Sequence, residues 1–484
     1  MLNLVASCEM AFCYSYVERK TVQYLLQRFS VKAKGIPHSM KWGLQVHYGF
    51  HGVGQGLFSS GSLVMLNGTA SSQFNWVYDC GTSSSQLYLD SALDGLERDI
   101  RPPAGRRPYL DLVTISHFDK DHISGLLKLL ERFDVGDLLL PYMPLWQRLV
   151  IAFHAHRGHR SRLTSFLVNP VAFIAAVPES NVKRILFASG GPTLEEPPRD
   201  TGISPQPERP PFPGVERAER RRAEPISVEV DAEDLSSLGA GEDKRFDASR
   251  MAEAARNGTS VVFMKVGTAL VVASSWEFMP YNDAQLAPMA SAAFRNEVSR
   301  LRSDLLGGVK SIATRALEVL KRLYAKEFDF SGHEENNNLI SLFLYAGPTE
   351  PCTTDVIAGY SWEPYWYWRD WFESIPTGRD GLLYTGDGYL DTDARFASMR
   401  AFLGPHRVKS LAALQVMHHG ARANWHTGLA DKIRPEFSVF SSNPLHKRYR
   451  HPHTEVLEDF SSYRPLQATK GKSVNLAFRL LFPR

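Results

Sequence analysis

The sequence predicts an α/β fold in which polar residues follow the ends of successive strands, and three observations support this prediction. An apolar run at residues 112–115 has the pattern of a buried strand and leads directly into a group of metal-ligating side chains. The residues after that group place apolar side chains on one face of a helix. Two later apolar runs, at 381–385 and 411–417, are also followed by Asp or His.

Three strands are predicted before the first of these runs. Residues 42–66 give a strand, a glycine-rich turn and a second strand, and residues 74–78 give a third strand that ends in Asp79. The turn contains Val-Gly-Gln-Gly, but no Gly-Lys-Ser/Thr follows it, so we do not interpret it as a phosphate loop. Its glycines instead let the turn pass close to the functional centre. Residues 1–40 are interpreted as an amino-terminal extension.

Residues 116–125 read Ser-His-Phe-Asp-Lys-Asp-His-Ile-Ser-Gly and form the predicted metal-binding turn. Imidazole and carboxylate ligands together suit zinc, manganese or iron, and two pairs of ligands suit two ions. A solvated acidic loop is the alternative interpretation. It does not explain why an apolar strand delivers two histidines and two aspartates to one turn. The four candidate ligands are His117, Asp119, Asp121 and His122.

The middle of the chain, residues 142–330, has a changing pattern. Residues 142–187 are mostly helical in pattern and contain a basic, histidine-rich patch. We interpret this patch as a lid that contacts phosphates through Arg157 and Arg160, or as a solvated helix end, rather than as a metal site.

Composition changes abruptly after this patch. Residues 188–249 are rich in Pro, Glu and Arg and lack an apolar period, which predicts a disordered linker. Residues 259–273 have the pattern of a two-strand hairpin about Gly267. Residues 290–325 carry apolar side chains at helical spacing, which predicts one long helix or two helices separated at residues 307–308.

The last third of the chain repeats the pattern of apolar strands that end in polar residues. The run at 381–385 is followed by Asp387 between two glycines, which suits a ligand shared by two metal ions better than a tight Asp-Gly turn. Four such strand ends together predict a site at one edge of a β-sandwich. The polar residues near these ends are Asn338, Asp387, His418, His419, Asn443, His451 and His453.

These motifs together resemble one branch of the metallo-β-lactamase superfamily, which includes the carboxy-terminal metallohydrolase domain of bacterial competence (DNA-uptake) channel proteins. The motifs are Val-Gly-Gln-Gly, Tyr-Asp-Cys-Gly, His-x-Asp-x-Asp-His, Thr-Gly-Asp, His-His-Gly and His-Pro-His. The resemblance implies an αββα metallo-β-lactamase sandwich, with residues 41–141 and 331–484 as its two halves. Residues 142–330 are then a large insertion, partly disordered and partly helical. The family usually has Ser where Ala421 stands, and no membrane channel is present.

The resemblance also implies two divalent metal ions, zinc first and manganese as the alternative. One ion is expected on His117 and Asp119, and the other on Asp121 and His122. Asp387 is expected to bridge the two ions. Either of the next two histidines can complete the second site, and we favour His419 because His-Gly matches the usual ending of this motif in the superfamily.

Further residues are expected to support the ligands or to act on substrate. His418 is left to orient substrate or to protonate the leaving group, and we assign catalysis to it together with Asp121 and Asp387. Asp79 is expected to hold the site by hydrogen bonds rather than by ligation. Asn338 stands where many relatives have a histidine. His451 and His453 are expected to hold ligands or to contact substrate.

The leading functional hypothesis is a phosphodiesterase or nuclease that acts on nucleic acid, plausibly single-stranded DNA. Residues 360–372 are rich in Trp and Tyr and include Arg369, and Trp366 and Trp368 are candidates for stacking on bases. An aromatic mini-core is the alternative for this run. A second hypothesis is a small-molecule hydrolase of a nucleotide, phosphoester or thioester. A third is a metal-binding interaction component that binds a protein partner through residues 142–330.

Bulk composition sets weaker bounds. Lys plus Arg number 55 against 52 Asp plus Glu, and this net charge of +3 is too small to indicate nucleic-acid binding by itself. The 4 cysteines lack paired-ligand spacing, so we expect neither a disulfide framework nor a zinc knuckle, and a reducing cytoplasm is the natural compartment. No apolar run reaches about 18 residues, so no membrane span is expected.

Overall fold

The computed structural model describes residues 40–67, 70–100, 105–155, 162–189, 228–229, 249, 251, 259–273, 275–283, 290–306, 310–327, 341–349, 353–354, 360–362 and 378–483. Several sequence predictions fall outside these residues: most of the extension at 1–40, most of the linker at 188–249, and the candidate residues Arg157, Arg160, Asn338, Trp366 and Trp368.

The described residues form a mixed α/β fold with two mixed sheets. The strands in chain order are β1 Met40–Phe50, β2 Phe58–Asn67, β3 Ala70–Cys80, β4 Tyr109–Thr114, β5 Asp134–Pro141, β6 Asn181–Ala188, β7 Val228–Glu229, β8 Ser260–Met264, β9 Leu270–Val272, β10 Trp276–Tyr281, β11 Phe343–Pro348, β12 Thr353–Thr354, β13 Tyr360–Trp362, β14 Gly381–Tyr384, β15 Leu411–Gln415, β16 Phe437–Ser441, β17 Pro465–Ala468 and β18 Val474–Pro483.

Helices lie between these strands. In chain order they are α1 Gln86–Ile100, α2 Lys120–Ile123, α3 Leu126–Arg132, α4 Leu145–Ala155, α5 Arg162–Val168, α6 Pro170–Ala175, α7 Ala292–Leu306, α8 Lys310–Glu327, α9 Asp393–Leu403, α10 Pro405–Lys409, α11 Leu429–Ile433 and α12 Thr454–Asp459. Two short 3₁₀ turns cover Met417–Gly420 and Arg422–Asn424.

Each sheet changes from antiparallel to parallel pairing part-way across. The first has the order β12-β18-β1-β2-β3-β4-β5-β6-β8, with β13 also beside β18, and it becomes parallel at the β3–β4 pair. The second has the order β17-β16-β15-β14-β11-β10-β9-β7 and is parallel from β14 to β17. Neighbouring parallel strands end at the same edge, and ligands commonly bind beyond such carboxyl ends.

Three hydrophobic clusters lie around the sheets. One combines helix residues of α1, α3, α4, α7 and α8 with one face of the first sheet. The second joins the other face of this sheet to the second sheet, where the Trp76 and Phe278 rings lie 5.2 Å apart and the Tyr78 and Tyr384 rings 4.4 Å apart. The third combines the remaining face of the second sheet with α9, α11 and α12.

Periodicity in the sequence explains how these elements find their neighbours. Along β4, the adjacent residues Leu112 and Val113 belong to the second and the first cluster respectively, as expected when successive strand residues point to opposite faces. In α1 the buried residues Leu89, Leu93 and Leu96 recur at helical spacing, so one stripe of the helix packs on the sheet.

The strands and helices predicted outside the middle of the chain are present. The pair of helices within 290–327 also matches the sequence pattern. In the predicted linker, Val228–Glu229 form the short strand β7, which pairs with β9. The linker prediction was therefore wrong for these two residues.

Two other predictions for the middle of the chain were wrong. The residues about Gly267 do not form a hairpin, because β8 pairs in parallel with β6 of the first sheet whereas β9 pairs with β10 and β7 of the second. Local pattern predicts a turn but does not define the partner of each strand. The helical prediction for 142–187 also missed β6, which joins the first sheet. Residues 142–330 thus supply strands to both sheets, so they are not only an insertion beside the sheets.

Candidate metal centre

Four strand ends deliver the candidate ligands to one place. Asp79 lies near the end of β3, and the turn that carries His117 follows β4, its parallel neighbour. In the second sheet Asp387 follows β14, and the 3₁₀ turn with His418 and His419 follows β15, again its parallel neighbour. The site therefore lies where both sheets change to parallel pairing.

Two glycines allow the backbone to pass close beneath the metal-binding turn. A Cβ on Gly81 would lie 2.5 Å from backbone atoms of Asp121 and His122. A Cβ on Gly56 would lie 2.8 Å from the Asp121 carbonyl oxygen, and Gly56 has a φ of +148° that also favours glycine. Gly56 of the early turn and Gly81 after β3 thus both lie against the turn that carries the ligands.

The Asp387 carboxylate lies at the centre of the site and faces four imidazoles. Its Oδ1 is 3.1 Å from Nε2 of His122 and 3.7 Å from Nε2 of His419. Its Oδ2 is 3.8 Å from Nε2 of His117 and 3.4 Å from Nε2 of His418. Each carboxylate oxygen thus faces its own pair of nitrogens, which is the arrangement expected of a ligand shared by two cations.

Two more carboxylates lie on opposite sides of this group. Asp121 Oδ2 is 3.4 Å from Nε2 of His419, and Asp119 Oδ2 is 4.0 Å from Nε2 of His117. The donor atoms of Asp121, His122 and His419 lie within 4.8 Å of one another, and so do those of His117, His122 and Asp387. The structure therefore brings five of the six ligands that the sequence suggested into these two groups, with His122 in both, and Asp119 lies beside them next to His117.

The hydrogen bonds of Asp79 fix which nitrogen of two histidines carries hydrogen. Asp79 Oδ1 accepts from the Ser116 N–H at 2.7 Å, and Oδ2 accepts from the Ser116 hydroxyl at 2.6 Å and from Nδ1 of His122 at 2.7 Å. Because the Ser116 hydroxyl hydrogen is used there, its Oγ accepts from Nδ1 of His117 at 2.9 Å. In their neutral form both imidazoles therefore direct an Nε2 lone pair at Asp387.

The other two histidines have the same tautomer. Nδ1 of His419 donates to the Ser441 carbonyl at 2.6 Å, a group that can only accept. Nδ1 of His418 lies 2.7 Å from Oδ1 of Asn424, whose amide nitrogen donates to the carbonyls of Asp387 and Gly388. That fixes the Asn424 amide, so its oxygen accepts from His418. All four Nδ1 atoms are thus held, and all four Nε2 atoms face the centre.

An unusual backbone separates the two adjacent histidines. His418 and His419 have φ values of 45° and 59°, in the left-handed region that side-chain-bearing residues rarely adopt. Such conformations persist where surrounding contacts hold them, and they are frequent at functional sites. The His419 side chain is 1% exposed and that of His418 is 26% exposed.

Electrostatics in the site favour a positive charge on His122 but not on His117. Burial opposes a charge on His122, but the carboxylates of Asp387 and Asp79 raise its pKa well above the ordinary value. Burial likewise opposes ionisation of Asp387, yet His122, His418 and His419 hold its pKa well below the ordinary value. Burial and the charge on His122 together lower the pKa of His117 to about 3.

The carboxyl groups of the turn differ in charge. Burial works against ionisation of Asp121, but contacts with His419 and His122 lower its pKa to about 2. Asp119 lacks such a close imidazole, and burial together with the charges of Asp121 and Asp387 raises its pKa to about 7. The imidazoles therefore favour the carboxylate form at Asp121 but not at Asp119.

Both remaining histidines named from the sequence lie beside the centre. The His451 ring is stacked on that of His419 at 6.2 Å, and His453 Nδ1 accepts the Arg422 backbone N–H at 3.1 Å. Burial and the neighbouring histidines lower the pKa of His451 to about 3. Neither residue belongs to the two groups of candidate ligands found among the described residues.

Sequence reasoning missed three groups that orient the ligands: the Ser116 hydroxyl, the Asn424 amide and the Ser441 carbonyl. Ser116 is adjacent to the first ligand, so its position was a usable signal. Asn424 is fully buried, although the sequence places it in a short polar segment after the histidines. No sequence pattern identifies the backbone carbonyl of Ser441 as an acceptor.

No protein-family model matches the chain, and a search of curated proteins found no similar sequence. Among the described helices, none has both the length and the apolar character that crossing a bilayer requires. The chemistry of the residues at the site is therefore the basis for any functional proposal.

Proposed function

We propose that this protein is a hydrolase that uses two divalent metal ions, zinc or alternatively manganese, to cleave phosphodiester bonds of nucleic acid. The observation that carries this proposal is the Asp387 carboxylate, each oxygen of which faces two Nε2 atoms. Lone pairs directed at a carboxylate repel it unless positive charge lies between them. Within the described residues, the buried Nε2 atoms of His117, His122 and His419 make no hydrogen bond, so they fit a metal ion.

The donor set matches two ions. His117, Asp119 and one oxygen of Asp387 would hold the first, and Asp121, His122, His419 and the other oxygen of Asp387 would hold the second. Imidazole and carboxylate donors of this kind suit zinc and also accept manganese. Two such ions, when bound, activate a water molecule near neutral pH and offset negative charge on the group under attack.

The remaining groups have roles that follow from their positions. His418 is the most exposed of the four imidazoles, so it is the one best placed to contact substrate or to give a proton to the leaving group. Asn424 holds its ring through Nδ1, which keeps Nε2 directed at the centre. Asp79 and Ser116 hold His122 and His117 in the tautomer that a ligand needs.

We also propose that the fold is the αββα sandwich of the metallo-β-lactamase superfamily, in the branch that the motifs resemble. Three apolar clusters support this, because they alternate with the two sheets in the order that helix, sheet, sheet and helix layers require. The position of the site at the ends of β4, β14 and β15 is consistent with the motif order of that superfamily.

Metal content and activity test this proposal together. Purified protein should contain about two equivalents of zinc or manganese by elemental analysis, and should hydrolyse single-stranded nucleic acid and a small chromogenic phosphodiester. Asp121→Asn should lose metal and both activities, while the matched surface variant Asp90→Asn should lose neither. Metal-free protein with full activity would refute the proposal. Cleavage of the small phosphodiester alone, with no nucleic acid cleaved, would favour the small-molecule hydrolase.

A further inference from the structure

A strongly basic loop lies between β16 and α12, next to the candidate metal centre. The chain from Ser442 to Thr454 contains no acidic residue. Lys447, Arg448 and Arg450 are exposed. We call residues 444–450 the basic loop. Its charge contrasts with the aspartates of the metal centre.

Local hydrogen bonds give the basic loop a defined shape. Asn443 is buried, and its side-chain oxygen accepts the Leu445 N–H at 3.3 Å. Nδ1 of His446 accepts the N–H groups of Arg448 at 3.4 Å and Tyr449 at 3.3 Å. These hydrogen bonds order the backbone from which the cations of the loop extend.

Stacked side chains cover the outer part of this loop. The His446 and Tyr449 rings lie 4.8 Å apart and 20° from parallel, and the Arg448 guanidinium carbon lies 5.3 Å from the Tyr449 ring centre. Leu445 is 89% exposed. Unpaired bases stack on planar cationic and aromatic groups of this kind.

Aromatic contacts connect the basic loop to the metal centre. The Tyr449 ring lies 5.9 Å from that of His451, and His451 lies 5.6 Å from His418. His418 in turn has its Nε2 3.4 Å from Asp387 Oδ2. A ligand bound at the exposed side of His418 therefore has the basic loop as its neighbour. Arg422 is less suited to this role, because it lies 3.5 Å from Glu455.

We propose that the basic loop binds single-stranded nucleic acid next to the bond that is cleaved. Lys447 and Arg450 contact backbone phosphates, and the stack of His446, Tyr449 and Arg448 receives an unpaired base. Single-stranded nucleic acid offers phosphates for the cations and unpaired bases for the stack. An acidic peptide would use only the cations. This inference rests on the proposed function for its orientation, but binding can be tested without cleavage.

Fluorescence anisotropy of a labelled oligothymidylate about 12 nucleotides long measures this binding directly. Lys447→Gln with Arg450→Gln should weaken binding about ten-fold, and the slope of log affinity against log salt should fall by about 1.4 for two lost phosphate contacts. Tyr449→Phe should bind like wild type, whereas Tyr449→Ala should lose about five-fold or more. The matched control is Arg98→Gln with Arg106→Gln. These two exposed cations precede β4, whose opposite end leads to the metal-binding turn.

Each outcome has a defined meaning. Unchanged affinity and slope in the Lys447/Arg450 variant would overturn the inference. An equally large loss of hydrolysis of the small chromogenic phosphodiester in this variant would also overturn it, because the substitutions would then act by disturbing the metal centre. Two results with other probes would also overturn it. One is competition by a mononucleotide that is as strong as competition by the oligonucleotide. The other is a Lys447/Arg450 variant that loses binding to oligoglutamate but not to the oligonucleotide. Weakened oligonucleotide binding in a protein without hydrolytic activity would support the loop and refute only the proposed function.

Discussion

The two sides of the Asp387 carboxylate differ in how closely the protein encloses their imidazoles. On one side His122 and His419 are buried, and their Nδ1 atoms are held by a carboxylate and a backbone carbonyl. On the other side His117 is also buried, but His418 is 26% exposed and is held by the amide of Asn424. Two neighbours in sequence, His418 and His419, therefore point to different sides with different access to solvent.

This difference teaches that a pair of identical residues can divide two tasks. The left-handed backbone at both positions turns the side chains apart, so that one completes a closed ligand group and the other borders the open side. A closed imidazole suits permanent ligation, whereas an accessible one suits contact with substrate. The predictions below separate these tasks by experiment.

The largest effect is expected from Asp387→Ala, which removes the carboxylate between the two sides. Both groups of ligands lose a shared donor, so metal content should fall for both ions and kcat/KM should fall at least about 1000-fold. Elemental analysis and hydrolysis of a small phosphodiester measure this. Asp393→Ala, at an aspartate with a side chain 76% exposed, is the control and should keep both properties. Loss of only one metal equivalent would show that Asp387 does not bridge.

A comparison of His419→Ala with His418→Ala tests the division of tasks. His419→Ala should remove about one metal equivalent, because its Nε2 faces both Asp121 and Asp387. His418→Ala should retain metal but lower kcat by about 100-fold or more, as expected for loss of proton transfer. Metal analysis and steady-state kinetics on both variants measure this. The opposite pattern, with metal lost only from the His418 variant, would reverse the two assignments.

A smaller effect is expected from the groups that hold the ligands. Asp79→Asn should weaken metal affinity about 10- to 100-fold, because Nδ1 of His122 loses a charged acceptor. Asn tolerates the φ of 56° at this position, so the backbone should be retained. Ser116→Ala should cost about 1 kcal/mol of metal binding. Competition with a chelating dye measures both, and a Ser116 effect larger than that of Asp79 would contradict this order.

The sequence predicted that these candidate side chains would come together, because they follow apolar strands within short motifs. His117, Asp121 and His122 lie on one turn, so spacing alone brings them close together. Asp387 and His419 lie far along the chain, yet each follows a strand that ends at the same edge of a sheet. Strand ends were thus sufficient to place five ligands without knowledge of pairing. Ser441 could not be predicted, since its contribution is a backbone carbonyl.

The middle of the chain was predicted less well for a physical reason. β6 ends in the short apolar run Ile-Leu-Phe-Ala and lies in a segment with helical neighbours, and its identity as a strand depends on pairing with β5 and β8. β8 and β9 are close in sequence but belong to different sheets, and local pattern contains no information about distant partners. Long-range pairing therefore decided the structure where propensity was ambiguous.

Two buried carboxyl groups, Asp111 and Asp387, have pKa values that are shifted in opposite directions. Asp111 lies on β4, the strand that leads to the metal-binding turn, and its Oδ2 accepts the Asn75 N–H at 2.7 Å. Burial raises its pKa to about 7, and the charge of Asp137 adds to this rise. Asp387 is equally buried, but imidazoles hold its pKa well below the ordinary value. Burial decides the direction of the pKa shift at Asp111, whereas the imidazole partners decide it at Asp387.

An effect on stability rather than on metal binding or activity is expected at Asp111, through the pH dependence of folding. Because its folded pKa is about 7 and its ordinary value 3.8, the folded state binds more protons between these values. Stability should then fall as pH rises through this window, by up to about 1.4 kcal/mol per pH unit. Asp111→Asn keeps an acceptor for the Asn75 N–H but cannot ionise, so its loss of stability with rising pH should be shallower.

Urea unfolding of both proteins between about pH 5 and about pH 8 measures this difference. The free energy of unfolding of Asp111→Asn should gain on that of wild type as pH rises, and the gap should level off above about pH 7. Asp90→Asn, a surface aspartate beside Lys128, is the control and should follow the wild-type curve. Parallel curves for wild type and Asp111→Asn would show that Asp111 is ionised in the fold at little cost. Burial would then have less influence on this strand than the comparison with Asp387 implies.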